Sequence, residues 1–196
     1  MNNFRKTAIS VGVLFIIATV LGVLGRSFSQ PILDAPDYLI KISANGNQVI
    51  IGGLLVLLSA FACAGIAIGL YPVLRKHNEA LALGSVGLRV MEGMLYIVSV
   101  VGLLSLLTLS QEYVKAGASN ASLFQVSGTI LLAIRTWAGQ LGVVAFTVGA
   151  VMYYYVFYQS KLIPRWLSGW GLIGAALSLA AALLTIFGQI IPLSPV

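Results

Sequence analysis

The hydrophobic positions of this chain come in long unbroken runs, not in the alternating or one-sided patterns of soluble elements. Thr7 to Gly25, Gln48 to Leu74, Thr136 to Ser160 and Trp166 to Val196 contain no charged residue. About 20 apolar residues carry a helix across the hydrocarbon core of a bilayer, and each run approaches or exceeds that length. A helix satisfies its backbone hydrogen bonds internally, as lipid requires. A transmembrane barrel would need short alternating segments, which are lacking here. The pattern predicts an all-α, polytopic transmembrane bundle forming a single domain over residues 1–196. Its five spans are expected at about 7–25, 48–74, 80–109, 128–158 and 167–191.

Polar residues punctuate these runs. Between the first two spans lie Pro31, Asp34, Pro36, Asp37 and the turn-like Asn45-Gly46-Asn47. Within that loop, Tyr38 to Ile42 reads as a short interfacial segment. Arg75 to Glu79 is so short a link that spans two and three must be antiparallel neighbours, and Asn78 is placed to cap the third span. An outer loop is expected over Ser110 to Ser127. A second tight basic turn, Lys161 to Arg165, leads into span five. Asn120-Ala121-Ser122 is a glycosylation acceptor only in a eukaryotic secretory pathway.

Composition agrees with this reading. Of the 196 residues, 59% are hydrophobic and 8% charged, against roughly 25% charged in soluble domains. The net charge of +6 does not point to nucleic acid, because the basic residues sit at span ends and form no stripe. With the N-terminus inside, Arg5, Lys6, Arg75, Lys76, Lys161 and Arg165 are cytoplasmic, while Arg26, Lys41 and Lys115 lie outside beside Asp34, Asp37 and Glu112. That asymmetry follows the positive-inside rule and puts the C-terminus outside after five spans. The first run is longer than a signal-peptide core and ends in Arg26-Ser27-Phe28, so it reads as a retained anchor. Cys63 is the sole cysteine, which rules out an intrachain disulfide.

Aromatic residues mark the span ends. Tyr153, Tyr154, Tyr155 and Tyr158 close span four, and Trp166 and Trp170 open span five; Tyr158, Trp166 and Trp170 are expected as interface anchors. The alternative is an aromatic cage for a cationic ligand. Small residues recur at i,i+4 in Ala18/Gly22, Gly65/Gly69 and Gly174/Ser178/Ala182, and intramolecular packing is their expected use.

Span three carries the chemistry. Ser85, Arg89, Glu92, Tyr96 and Ser99 alternate by four and three, which places all five on one helix face. Counted from Asn78, Arg89 lies ~16 Å and Glu92 ~21 Å along the helix. Glu92 therefore sits near the midplane of a ~30 Å core, where an ionisable group is expensive. Span four offers Thr136, Gln140, Thr147 and Tyr154 within about 40° of one another around the helix. Arg135 is ~39 Å from the inner surface, which argues against its pairing with Glu92. Two readings of Arg89 and Glu92 stay open: a buried i,i+3 ion pair that fixes register, or a site that binds an anionic head group and exchanges protons.

Three blocks resemble a known family. They are Leu70-Tyr71-Pro72-Val73-Leu74-Arg75, then Leu81-Ala82-Leu83-Gly84 with Arg89-Val90-Met91-Glu92, then Tyr158 to Leu167 followed by Trp170-Gly171-Leu172-Ile173-Gly174. Together the chain is similar to the prokaryotic integral membrane proteins of domain of unknown function 4386. The resemblance implies a multi-helix bundle in the plasma membrane and brings no catalytic residues. Members usually have a further hydrophobic segment after the fifth span; an oligomer contact or partner helix is expected in its place.

Enzymatic chemistry finds little footing. There is no His or Cys cluster at metal-ligand spacing, no carboxylate pair and no glycine-rich phosphate loop. His77 reads as solvated, and Ser85, Ser99 and Ser105 have no evident base. The expectation is a non-enzymatic membrane protein without cofactor or metal, in contact with membrane lipids, whose polar seam binds a lipid or small amphiphile. The alternatives are a proton-coupled transport component using Glu92 and an intramembrane enzyme.

Overall fold

The computed structural model describes residues 3–117 and 121–188, with side chains from Arg5 onward. In chain order the elements are α1 (Asn3–Leu33), α2 (Tyr38–Ala44), α3 (Gly46–Leu74), α4 (Glu79–Ala116), α5 (Ala121–Ser160) and α6 (Arg165–Ile186). No strand occurs among the described residues. All except α2 are long and apolar enough to cross a membrane, so the protein is all-α and polytopic with five spans. Asn120 and the end of the fifth expected span at Ile191 lie outside the described residues.

Helices α1, α4 and α5 outrun the spans expected for them at 7–25, 80–109 and 128–158. The loop expected over Ser110 to Ser127 is mostly helix, because α4 continues to Ala116 and α5 already begins at Ala121. Hydropathy marks where lipid contact ends, whereas an established helix propagates by one backbone hydrogen bond per residue. Glu112 and Lys115 support the extension with a 2.8 Å ion pair one turn apart. The loop after span one is likewise reduced to short turns around α2, with Pro31 accommodated in the last turn of α1.

Two ends show how polar residues set the boundaries. The Asn78 side chain accepts the Leu81 N–H at 3.0 Å, capping α4 as its position predicted. At the end of α5, Lys161 takes a left-handed φ of 56°, and its N–H reaches the Phe157 carbonyl at 3.1 Å. Pro164 then opens α6, where its missing N–H is no loss.

The chain forms two compact units, and α1, α3, α4 and α5 each contribute to both. The first unit comprises Met1–Val13, Cys63–Gly93 and Gln140–Val196. Its core is Leu74, Ala82, Ala150, Tyr153, Val156 and Ala175, flanked by Leu70, Tyr71 and Phe146. The second unit comprises Leu14–Ala62 and Met94–Gly139. Ile32, Leu33, Ile42, Val49, Leu103, Leu106 and Leu107 form its core. There α1 and α3 cross closely: a methyl on Gly25 would lie 2.8 Å from the Gly52 carbonyl oxygen. The Ser59 hydroxyl donates to the Ala18 carbonyl at 2.7 Å beside Gly22. The small pair Ala18/Gly22 thus serves packing within the chain.

Candidate functional site

The site grows from one face of α4 in the first unit. Ser85, Arg89 and Glu92 are all buried, the two charged residues at 3% exposure each. Arg89 Nη1 donates to Glu92 Oε2 at 2.7 Å, the reach that i,i+3 spacing on a helix allows. A charge in an apolar interior is tolerable only when paired in this way. The Cys63 thiol of α3 also donates to the Glu92 carboxylate. From α5, the Phe146 ring lies under the guanidinium with 4.9 Å from its centroid to Arg89 Cζ, a cation–π contact in a desolvated place.

Gly149 makes room for this arrangement. A methyl there would stand 3.2 Å from Leu88 Cβ and 3.8 Å from Arg89 Cγ, so a side chain would push α5 off α4. Phe146, Gly149 and Tyr153 are spaced by three and four and share a face of α5. Two polar atoms in this region lack well-formed hydrogen bonds: Arg89 Nε and the Tyr153 hydroxyl, although Tyr154 stands beside the latter. Tyr153 lies within electrostatic reach of both Arg89 and Glu92.

The other expected residues are distributed more widely. Ser85 does not turn to the pair; its hydroxyl donates to its own helix at the Ala82 carbonyl, 2.8 Å away. Thr147 does the same to Val144 at 2.9 Å. Gln140, in the first unit, is half-buried. Tyr96, Ser99 and Thr136 belong to the second unit. Tyr96 is half-buried and Thr136 exposed, while the Ser99 hydroxyl donates to the Arg135 carbonyl at 3.0 Å. Arg135 itself donates to Ser29. Tyr158, Trp166 and Trp170 are exposed, with Arg165 over the Tyr158 ring at 5.4 Å.

Cys63, Phe146 and Tyr153 were not singled out from sequence as parts of this site. The three-four spacing of Phe146, Gly149 and Tyr153 was the available signal. A shallow cavity of about 170 Å³, lined by Asp37, Tyr38, Tyr113 and Gln125 among others, lies in the second unit and includes none of the expected site residues. Among the described residues, no three His, Cys, Asp or Glu side chains gather as a metal site would need.

One family model matches the chain, over residues 10–196. The chain belongs to the domain of unknown function family DUF4386. The match covers every element from α2 to α6 and the whole of the Arg89–Glu92 site, so the site is part of the DUF4386 domain and not an appendage to it. No curated protein and no solved structure matches the chain.

Proposed function

We propose that this DUF4386 protein is a non-enzymatic protein of the prokaryotic plasma membrane that holds the polar head of a lipid or small amphiphile at Arg89. One observation carries the reading: Arg89 Nε is a buried donor without an acceptor, on a guanidinium whose other edge is already neutralised. Leaving such a donor unsatisfied costs about 1–3 kcal/mol, which a ligand oxygen can recover. Because Glu92 cancels the charge, the head group that suits this place is uncharged, with carbonyl or hydroxyl oxygens. The Tyr153 hydroxyl supplies a second polar contact of the same kind. Ionisable residues inside spans generally mark functional places. The apolar face of α6, with Trp166, Trp170, Ile173 and Leu177 exposed, suits lipid tails or a partner helix.

The test is mass spectrometry of ligands retained after purification in mild detergent. The parent should retain an uncharged amphiphile. A variant with both Arg89→Leu and Glu92→Leu should stay folded and lose it. Equal retention by both proteins defeats the proposal. Substrate-driven proton uptake that disappears in Glu92→Gln would install the transport reading in its place.

A further inference from the structure

The second unit holds a different arrangement of charge, in which no acid among the described residues makes an ion pair with Arg26 or Arg135. Arg26 and Ser29 lie one turn apart on α1 and so share a face. Ser29 is buried; its hydroxyl donates to the Gly25 carbonyl at 3.1 Å and accepts from Arg135 Nη2 of α5 at 3.4 Å. That contact sets the Arg135 guanidinium against the turn of α1 that carries Arg26, and the two cations feel one another electrostatically. Arg135 is held there from α4. Its carbonyl accepts the Ser99 hydroxyl at 3.0 Å, and a methyl on Gly102 would touch its backbone N at 3.4 Å.

Two guanidiniums within electrostatic reach of one another cannot relieve their repulsion by losing a proton. Asp34 attracts Arg135 from beyond the end of α1 without forming an ion pair with it, and its carboxylate accepts from Gln30 Nε2 at 2.7 Å. No carboxylate among the described residues comes within ion-pair distance of either arginine. Among the described residues the Arg135 side chain makes one hydrogen bond, a long one, and the rest of its fixed fork of donors has no partner there. Such forks match the oxygens of a phosphate two at a time, and arginine pairs are the usual means of holding one.

We propose that Arg26 and Arg135, with the Ser29 that Arg135 contacts one turn from Arg26, form a binding site for a phosphate group. Depth favours a lipid as the source. Arg135 lies ~39 Å along α5 from Lys161, and Arg26 ~30 Å along α1 from Lys6. For a hydrocarbon core of ~30 Å, both distances end in the head-group layer opposite the basic turns. The site is independent of the neutral pair at Arg89, which offers no net charge to an anion.

Native mass spectrometry of the full chain in a maltoside detergent tests this, with phosphatidylglycerol and phosphate-free diacylglycerol added in equal amounts. With Arg89→Leu and Glu92→Leu in place, so that the site for uncharged head groups does not hold diacylglycerol, phosphatidylglycerol should be retained about tenfold or more over it, the scale of one or two charge-assisted hydrogen bonds. Arg26→Gln, an exposed position whose change disturbs no packing, should remove that preference, as should Arg135→Gln. Inorganic phosphate separates the two sources. A rise in the unfolding midpoint that Arg26→Gln abolishes shows a site for the group itself, while no rise leaves the lipid as its source. Equal retention of phosphatidylglycerol by the parent and by Arg26→Gln overturns the proposal. So does a loss seen only in the Arg89→Leu, Glu92→Leu double variant.

Discussion

Glu92 is neutralised by a residue on its own helix, and that choice of partner has a measurable signature. Removing one member of a buried ion pair strands the other, typically at about 3–5 kcal/mol, whereas replacing both with apolar residues can be nearly neutral. Arg89→Leu and Glu92→Leu should therefore each lower stability in detergent by several kcal/mol, and the double variant should regain most of the loss. Thermal or denaturant unfolding of the four proteins measures this directly. If either single variant is as stable as the parent, water reaches the pair and its burial is not dry. The contact was legible in the sequence because i,i+3 spacing depends only on helix geometry. Cys63, Phe146 and Tyr153 come from other helices, and hydropathy cannot rank partners among spans that are all apolar. Ser85 and Thr147 illustrate the same limit: periodicity put them on a polar face, yet each hydroxyl is spent on its own backbone.

At the scale of elements, glycine decides where helices meet. Gly25 and Gly52 present no side chain at the α1–α3 crossing, and the obstacle to one is the partner's backbone carbonyl, which cannot turn aside as a side chain can. Gly25→Ala should cost about 1–3 kcal/mol as overpacking. Gly87→Ala supplies the control, since nothing lies within 4 Å of its added methyl and alanine improves helix propensity. Unfolding midpoints that fall for Gly25→Ala and hold or rise for Gly87→Ala confirm the crossing; equal midpoints remove it. The sequence located the five spans but not their ends. Lipid thickness governs hydrophobic run length, whereas capping residues and turns govern helix length. That difference is why Asn78 was readable as a cap and the helical stretch through Glu112 and Lys115 was not.

For the whole molecule, the two units differ in charge. The first carries seven basic against two acidic residues, and the second four against three. Within the first, Arg89 and Glu92 cancel, so its excess comes from Arg5 and Lys6 at the start of α1 and from the two short turns around Lys76 and Lys161. Short basic loops are retained in the cytoplasm during insertion, and acidic residues contribute little to that choice. We therefore expect the N-terminus and both basic turns inside, and the Asp37 turn outside. His77 and Asp37 are both exposed, so a cysteine at either position is accessible to reagent on its own side. The native Cys63 is buried and stays silent to a membrane-impermeant maleimide. In intact cells Asp37→Cys should label fully and His77→Cys only after the membrane is opened. The opposite pattern would invert the protein. It would also move the phosphate site of Arg26 and Arg135 to the cytoplasmic leaflet, where the same two variants would still report it.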